Sequence, residues 1–261
     1  MLPSSRGTLY PKRLPDFHRL EPPAAASALV RWVWISSWNL SDGSVSRQHL
    51  IGFPALNLAV ESTMVGLSGP TTRTSHRDLS GRGWVVGALL RPAAVPAFTD
   101  DPASLRDQYV ALVEPELHAR VTDAFGDPST GATRQEAADA LADWLAARVG
   151  EPGPDALLAN RLVELAESDP DLLRVGDLAA RLGVSERTLQ RLATRYVGLG
   201  PAALIRRRRL QEAAERIRTD PDADLASLAA ELGYADQAHL TNEFTRVLGL
   251  SPAGYRRDAA G

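Results

Sequence analysis

The sequence predicts an α+β chain: a small amino-terminal domain of β-barrel or β-sandwich type, a helical connector, and an all-α carboxy-terminal domain. Three observations predict it. Short β-branched and aromatic stretches, parted by Gly, Pro, Ser and Asp, fill roughly residues 8–98. Stretches with apolar residues three and four apart follow them. Near the carboxy terminus, a helix, a glycine turn and a capped helix are written twice.

The β stretches are ALVRWVWISSWNL (28–40), SRQHLIGFPALNLAVES (46–62), TMVGLSGPTTRTS (63–75) and GRGWVVGALLRP (81–92). Trp32, Trp34 and Trp38 alternate on one side of the first of them. Such a row either stacks on a ligand or packs in a core or interface. Arg91, just before Pro92, is either an inward cation or a surface residue. Trp34, Trp38 and Arg91 are therefore the candidates for effector contact.

From about residue 100 to 170 the text turns helical: DPASLRDQYVALVEPELHARVTDAF, TRQEAADALADWLAARV and PDALLANRLVELAESDP, punctuated by Gly126-Asp127-Pro128 and by Gly150 to Pro154. Leu141, Trp144 and Leu145 make one apolar side, which fits either pairing with a second copy or packing on the chain's own β domain. The expected partition is residues 1–98 for the β-rich domain, 99–154 for the connector and 155–261 for the carboxy-terminal domain, with its repeated units near 175–196 and 225–248.

The repeat is LAARLGVSERTLQRLATRY (178–196) and LAAELGYADQAHLTNEF (228–244). Leu182-Gly183 falls on Leu232-Gly233 and, after one extra residue, Ser185 falls on Asp236. Glycine supplies the left-handed conformation that stops the first helix, and Ser or Asp caps the second. On helix 185–196, Leu189, Leu192, Ala193 and Tyr196 share a stripe, leaving Arg187, Gln190, Arg191 and Arg195 outward. Arg offers a donor fork suited to guanine and Gln can pair with adenine, so this face fits major-groove reading. On helix 236–248 the stripe is Leu240, Phe244, Val247 and Leu248; Gln237, Ala238, Thr241, Asn242 and Thr245 face outward, with His239 at the boundary. That face is nearly uncharged and should bind more weakly.

Between the units, GPAALIRRRRLQEAAERIRTDPDAD predicts one long helix from Pro201 to the Asp220-Pro221 stop. About eighteen residues at 1.5 Å each give a strut of about 27 Å. Arg206 to Arg209 point all round it, so one or two can meet phosphate while the others are solvated or paired with Glu212 and Glu215.

The net charge of −3 hides an asymmetry: residues 172–261 hold 14 Arg/Lys and 11 Asp/Glu, against 15 and 21 before them. There is no Cys, which excludes disulfides, thiolate nucleophiles and thiolate metal sites. Neither a signal peptide nor a run of about eighteen apolar residues appears, so a soluble, cytoplasmic protein without membrane contact is expected. His18, His49, His76, His118 and His239 are dispersed, and no His-Glu-x-x-His, Gly-x-Ser-x-Gly or P-loop pattern occurs. No catalytic residue, metal or cofactor is expected. Two other classes stay open: a partner-binding adaptor that no longer binds DNA specifically, and an enzyme in the β domain fused to a DNA-binding module.

Residues from about 155 to 258 resemble the AraC/XylS family of transcription regulators, through the repeat itself and through Gly233-Tyr234, Gln237, Phe244, Gly249, Ser251-Pro252 and Tyr255-Arg256. The resemblance implies two helix-turn-helix units on one long helix and a sequence-specific regulator of transcription. It puts Arg187, Gln190 and Arg191 at base-reading positions, and Gln237, His239, Thr241 and Asn242 near DNA. Double-stranded DNA is then the main partner, with RNA polymerase, a small-molecule effector and a second copy as further expected ones. Two departures stand out: Asn242 where the family usually has Arg, and Ala193 where it commonly has Phe. The amino-terminal part, through GFPALNLAVE and RPAAVPAF, resembles an uncharacterised sensor-like domain attached to some AraC relatives, with Ala93 in place of the usual Gly.

Overall fold

The computed structural model describes residues 16–51, 53–71, 74–126, 131–220 and 222–260. Expectations for residues 8–15, for Asp127 and Pro128, and for Pro221 lie outside these. Among the described residues the amino-terminal half forms β1 (Asp16–Leu20), β2 (Val30–Asn39), β3 (Val45–Ile51), β4 (Asn57–Glu61), β5 (Val65–Ser68), β6 (Thr74–Ser80), β7 (Arg82–Leu90) and β8 (Tyr109–Leu112). Six of them make an antiparallel sheet in the order β1, β2, β7, β4, β5, β8, while β3 and β6 pair as a two-stranded ribbon. The six-stranded sheet is open at β1 and β8, so the expected barrel does not close.

The reason is that helices bury the face a barrel would have turned inward. Val33, Ile35, Leu58, Val60, Val86 and Ala88 alternate onto one face and are shut from solvent. They share one core with Leu117, Val121 and Phe125 of α1 (Pro115–Phe125) and Leu141 and Leu145 of α2 (Gly131–Val149). Trp144 is buried too, its ring 6.5 Å from that of Phe98. The apolar side of α2 thus packs within its own chain, which decides between the two readings of Leu141, Trp144 and Leu145.

On the opposite face, Trp34 lies across Gly87, its cross-strand partner. A Cβ at Gly87 would come within 2.2 Å of the indole, so the glycine makes the floor on which the ring rests. The stretch 101–125 departs from the helical expectation: Tyr109–Leu112 is a strand, and α1 begins only at Pro115. Pairing with β5 supplies the hydrogen bonds that four residues could not supply alone.

The remainder is helical: α3 (Pro154–Ser168), α4 (Val175–Leu182), α5 (Glu186–Tyr196), α6 (Pro201–Thr219), α7 (Leu225–Glu231), α8 (Gln237–Leu248) and α9 (Pro252–Ala260). The buried apolar residues divide into two clusters, and the division falls inside α6. Leu204 and Ile205 belong with the sheet and α1 to α5, whereas Leu210, Ala213 and Ile217 belong with α7 to α9. The first repeat unit is consequently built into the same core as the β domain. The second unit has a core of its own.

Asn160 fastens α3 to the β domain. It is the one polar residue in a stripe of Ala156, Ala159, Leu162, Val163 and Ala166. Its Oδ1 accepts from the Ala93 amide at 2.9 Å and its Nδ2 donates to the Ala28 carbonyl at 2.7 Å. Asn160→Ala should leave both backbone groups unpaired and lower stability by about 1–3 kcal/mol. Denaturant unfolding checks this; a loss below about 0.5 kcal/mol would mean that water replaces the amide without penalty.

Candidate nucleic-acid interface

Both units are set by local chemistry. α4 ends at Gly183 with φ 68°, and Gly233 after α7 has φ 73°, the left-handed conformation the repeat requires. Ser185 Oγ accepts from the Thr188 amide at 3.1 Å, and Asp236 Oδ1 accepts from the His239 amide at 2.7 Å. Each such cap contributes about 1 kcal/mol and fixes where the second helix starts. That start fixes which side chains face outward.

On α5, Leu189, Leu192, Ala193 and Tyr196 are buried, and Arg187, Gln190, Arg191 and Arg195 are exposed. Ala193 is fully buried, so its neighbours close over the space that a Phe would take. On α8, Leu240, Phe244, Val247 and Leu248 are buried; Gln237, His239 and Asn242 are exposed and Thr241 is half-buried. His239 stands edge-on to Tyr234 at 5.3 Å and has Nε2 3.9 Å from Glu243, a carboxylate buried on the inner side of α8. Glu243 escaped the periodicity because its burial depends on what α8 packs against.

The outward face of α5 does not stand clear of the rest of the chain. Asp100 and Asp101 line an open groove together with Arg187, Gln190, Arg191 and Arg195. Arg191 Nη1 lies 3.0 Å from Asp155 Oδ2, in the first turn of α3. The acidic loop is held there by Gly198, whose φ is 77° and whose missing Cβ would meet the Pro102 carbonyl carbon at 2.7 Å. Arg106 Nη2 also donates to the Gly198 carbonyl at 2.8 Å. Three carboxylates therefore lie beside the guanidinium groups of this face. Any residue larger than Gly at 198 must shift this loop.

The fold divides the arginine run, and the expected pairing with Glu212 falls to Arg208. Arg206 alone of the four is exposed. Arg208 is buried, donating to the Leu172 carbonyl at 2.9 Å and to Glu212 at 3.3 Å. Arg209 lies over the Tyr234 ring, 4.1 Å from its centroid. Arg207 turns toward the β domain, 5.8 Å from the Phe53 ring.

The effector candidates separate. Arg91 lines a cavity of about 270 Å³ between the β domain, α3, the end of α5 and α6; Trp34 and Trp38 are not in its wall. Trp34 Nε1 instead donates to Asn57 Oδ1 at 2.7 Å and Trp38 Nε1 to the Ser80 carbonyl at 3.1 Å. The indole in the cavity wall is Trp32, flanked by the guanidinium groups of Arg19 and Arg31, each 4.8 Å from its ring. Arg91 approaches Glu164 at 3.9 Å, and Arg31 pairs with Glu167. Tyr196, the last residue of α5, and Gln211 of α6 complete the far wall. Among the described residues no cluster of three metal-ligating side chains occurs, and no helix is long and apolar enough to cross a membrane.

Comparison with known proteins matches two stretches of the chain. A family model described as a helix-turn-helix domain matches residues 178–258, and one described as a domain of unknown function (DUF6597) matches residues 18–111. Among curated proteins, the chain is 32% identical over 123 residues to a putative AraC-like transcription regulator of Streptomyces antibioticus, covering 47% of this chain and 39% of that one. A second, from Streptomyces lividans, is 34% identical over 123 residues, covering 47% and 38%. The chain thus spans about two fifths of the length of these relatives. Among solved structures, ToxT from Vibrio cholerae O395 is 13% identical, with a TM-score of 0.44 over 94% of this chain and 97% of that one. Residues 178–258 thus match a helix-turn-helix domain and residues 18–111 a DUF6597 domain, in a chain similar over 123 residues to AraC-like transcription regulators.

Proposed function

We propose that the protein is a sequence-specific DNA-binding regulator of transcription, in which α5 reads one major groove and α8 engages the next more weakly. The observation behind this is the outward face of α5, where Arg187, Gln190, Arg191 and Arg195 are exposed together on a helix fixed from within by four buried residues. α6 has 19 residues and so measures about 28 Å. That length is close to the roughly 34 Å between successive major grooves on one side of a duplex. Gln237, His239, Thr241 and Asn242 supply polar contacts without a guanidinium, which fits a positioning role for the second unit.

The same proposal assigns DNA binding to residues 155–261, sensing or self-association to 1–98 and their connection to 99–154. It includes contact with RNA polymerase, pairing of two copies, a cytoplasmic location and the absence of catalysis. The effector site is assigned to the cavity beside Arg91 and Trp32, because Tyr196 lies in its wall: a ligand there touches the end of the reading helix. Three guanidinium groups facing two carboxylates fit a small molecule with both an aromatic or apolar part and an anionic one. A thermal-shift screen of such compounds should give hits that Trp32→Ala removes. Hits unaffected by that change would move the effector site elsewhere.

The function is tested by selecting bound duplexes from a random pool with the full chain. Enrichment of two elements about one helical turn apart is expected, the stronger one lost in Arg187→Ala. Weak, salt-sensitive binding without enrichment would favour the adaptor reading instead.

A further inference from the structure

We propose that a second, smaller cavity, where α6 and α8 meet the segment after β5, is a binding site for a small oxyanion held by Arg207. This site is separate from the one beside Arg91. It does not depend on which DNA sequence the protein reads, or on whether it reads one.

The cavity has a volume of about 110 Å³, and its wall includes Thr71, Arg206 and Arg207, together with Glu243 and Arg246 of α8. That volume is several times the roughly 30 Å³ of one water in the liquid, enough for a single phosphate-sized group. The decisive feature is Arg207. Its stem is partly exposed, but Nε and Nη2 are shut from solvent and have no hydrogen-bond partner among the described residues. Among the described residues Nη1 reaches only the Thr71 carbonyl, at a long 3.5 Å. Among the described residues no carboxylate lies within ion-pair distance, whereas the adjacent Arg208 has both Glu212 and a carbonyl.

A guanidinium cannot escape this position by losing its proton. Burial pushes Arg207 down to about 10, still far above neutrality, so the group stays charged and its desolvation stays uncompensated. An oxyanion in the cavity offsets that cost by its charge and by charge-assisted hydrogen bonding to the guanidinium. Arg206 and Arg246 add positive potential from exposed positions; Glu243 opposes it, leaving three guanidinium groups against one carboxylate. The cavity also joins Thr71 of the amino-terminal domain to both α6 and α8. Occupation would fasten the second helix-turn-helix unit, which has its own core, to the domain in front of it.

The test uses the full chain, titrated with inorganic phosphate against chloride at constant ionic strength, with thermal unfolding as the readout. A saturable rise is expected, growing with the logarithm of phosphate once the site is half-filled. Arg207→Met should abolish the saturable part, and Arg161→Met, an exposed cation elsewhere, should keep it. If Arg207→Met fails to fold, Arg246→Ala should raise the half-saturating phosphate concentration severalfold. Absence of saturation in the unmodified chain, or unchanged titration in the folded variants, would overturn the site. Salt dependence of DNA binding separates the two possible sources of phosphate: an unchanged slope is expected for Arg207→Met, and a slope reduced by about one would reassign Arg207 to the DNA backbone.

Discussion

Arg191→Ala is expected to weaken binding to the selected duplex by about 1–3 kcal/mol and to relax discrimination at one base position. Asp155→Ala is expected to act with the opposite sign. In the unbound chain Arg191 is engaged by Asp155 at 3.0 Å, with both side chains about half exposed. An exposed ion pair of that kind contributes roughly 0–1 kcal/mol, less than a bidentate base contact, so DNA wins the competition but loses some affinity to it. Asp155→Ala should therefore tighten binding by at most about fivefold at low salt, and the gain should fade as salt rises. Adding Asp100→Asn and Asp101→Asn should extend it, because those carboxylates share the groove with Arg187 and Arg195. The measurement is a set of equilibrium titrations at two salt concentrations. Equal losses for Arg191→Ala on selected and scrambled duplexes would assign the residue to phosphate. Weaker binding in Asp155→Ala would mean that the ion pair orients Arg191 rather than detaining it.

Phe244→Ala is expected to have the largest effect on stability, about 3–5 kcal/mol. Phe244 is fully buried in the second cluster, 5.7 Å from the Tyr255 ring, among Leu240 and Leu248 of its own helix and Leu228 of α7. Because the core divides within α6, the loss should fall on α7 to α9 and leave the sheet with α1 to α5 folded. Unfolding followed by tryptophan fluorescence reports the first cluster, since all five Trp lie at or before position 144. Far-ultraviolet dichroism reports both. In Phe244→Ala the helical signal should begin to fall at lower denaturant than the fluorescence. A single coincident transition would mean that the two clusters unfold as one unit despite their division.

Under the proposed function, the division bears on how a signal would reach DNA. The stripe of α5 is packed into the core that also holds the β sheet, so any change at the sheet or at α3 acts directly on the first reading helix. The core around α8 is separate from that one, and the second unit meets the rest of the chain through α6, through the junction at Thr71 and Arg207, and through the packing of Gly233 on Leu173. Under the proposed function, unequal coupling of the two helix-turn-helix units to the β domain is the expected consequence of that packing.

Local sequence was enough for the repeat: two glycine stops, the Ser185 and Asp236 caps, and the four buried positions on each second helix all stand where the pattern puts them. These features depend on hydrogen bonds and apolar spacing within a dozen residues, which is why they are legible in one dimension. The shared face of Trp32 and Trp34 follows from alternation in the same way. What those side chains do was settled elsewhere in the chain: Gly87 and Asn57 engage Trp34, while Arg19 and Arg31 flank Trp32 beside a cavity.

β8, the open sheet, the acids set against α5 and the split fate of Arg206 to Arg209 needed the tertiary structure. Each depends on partners tens of residues away: β5 for β8, Asp155 for Arg191, Leu172 for Arg208, Thr71 for Arg207. The sequence by itself determined the two helix-turn-helix units and the face each turns outward, because short-range bonds and periodicity fix a helix and its sides. Only the tertiary structure decided which of those outward charges are free to meet DNA, because burial and pairing are set by whatever the rest of the chain brings alongside.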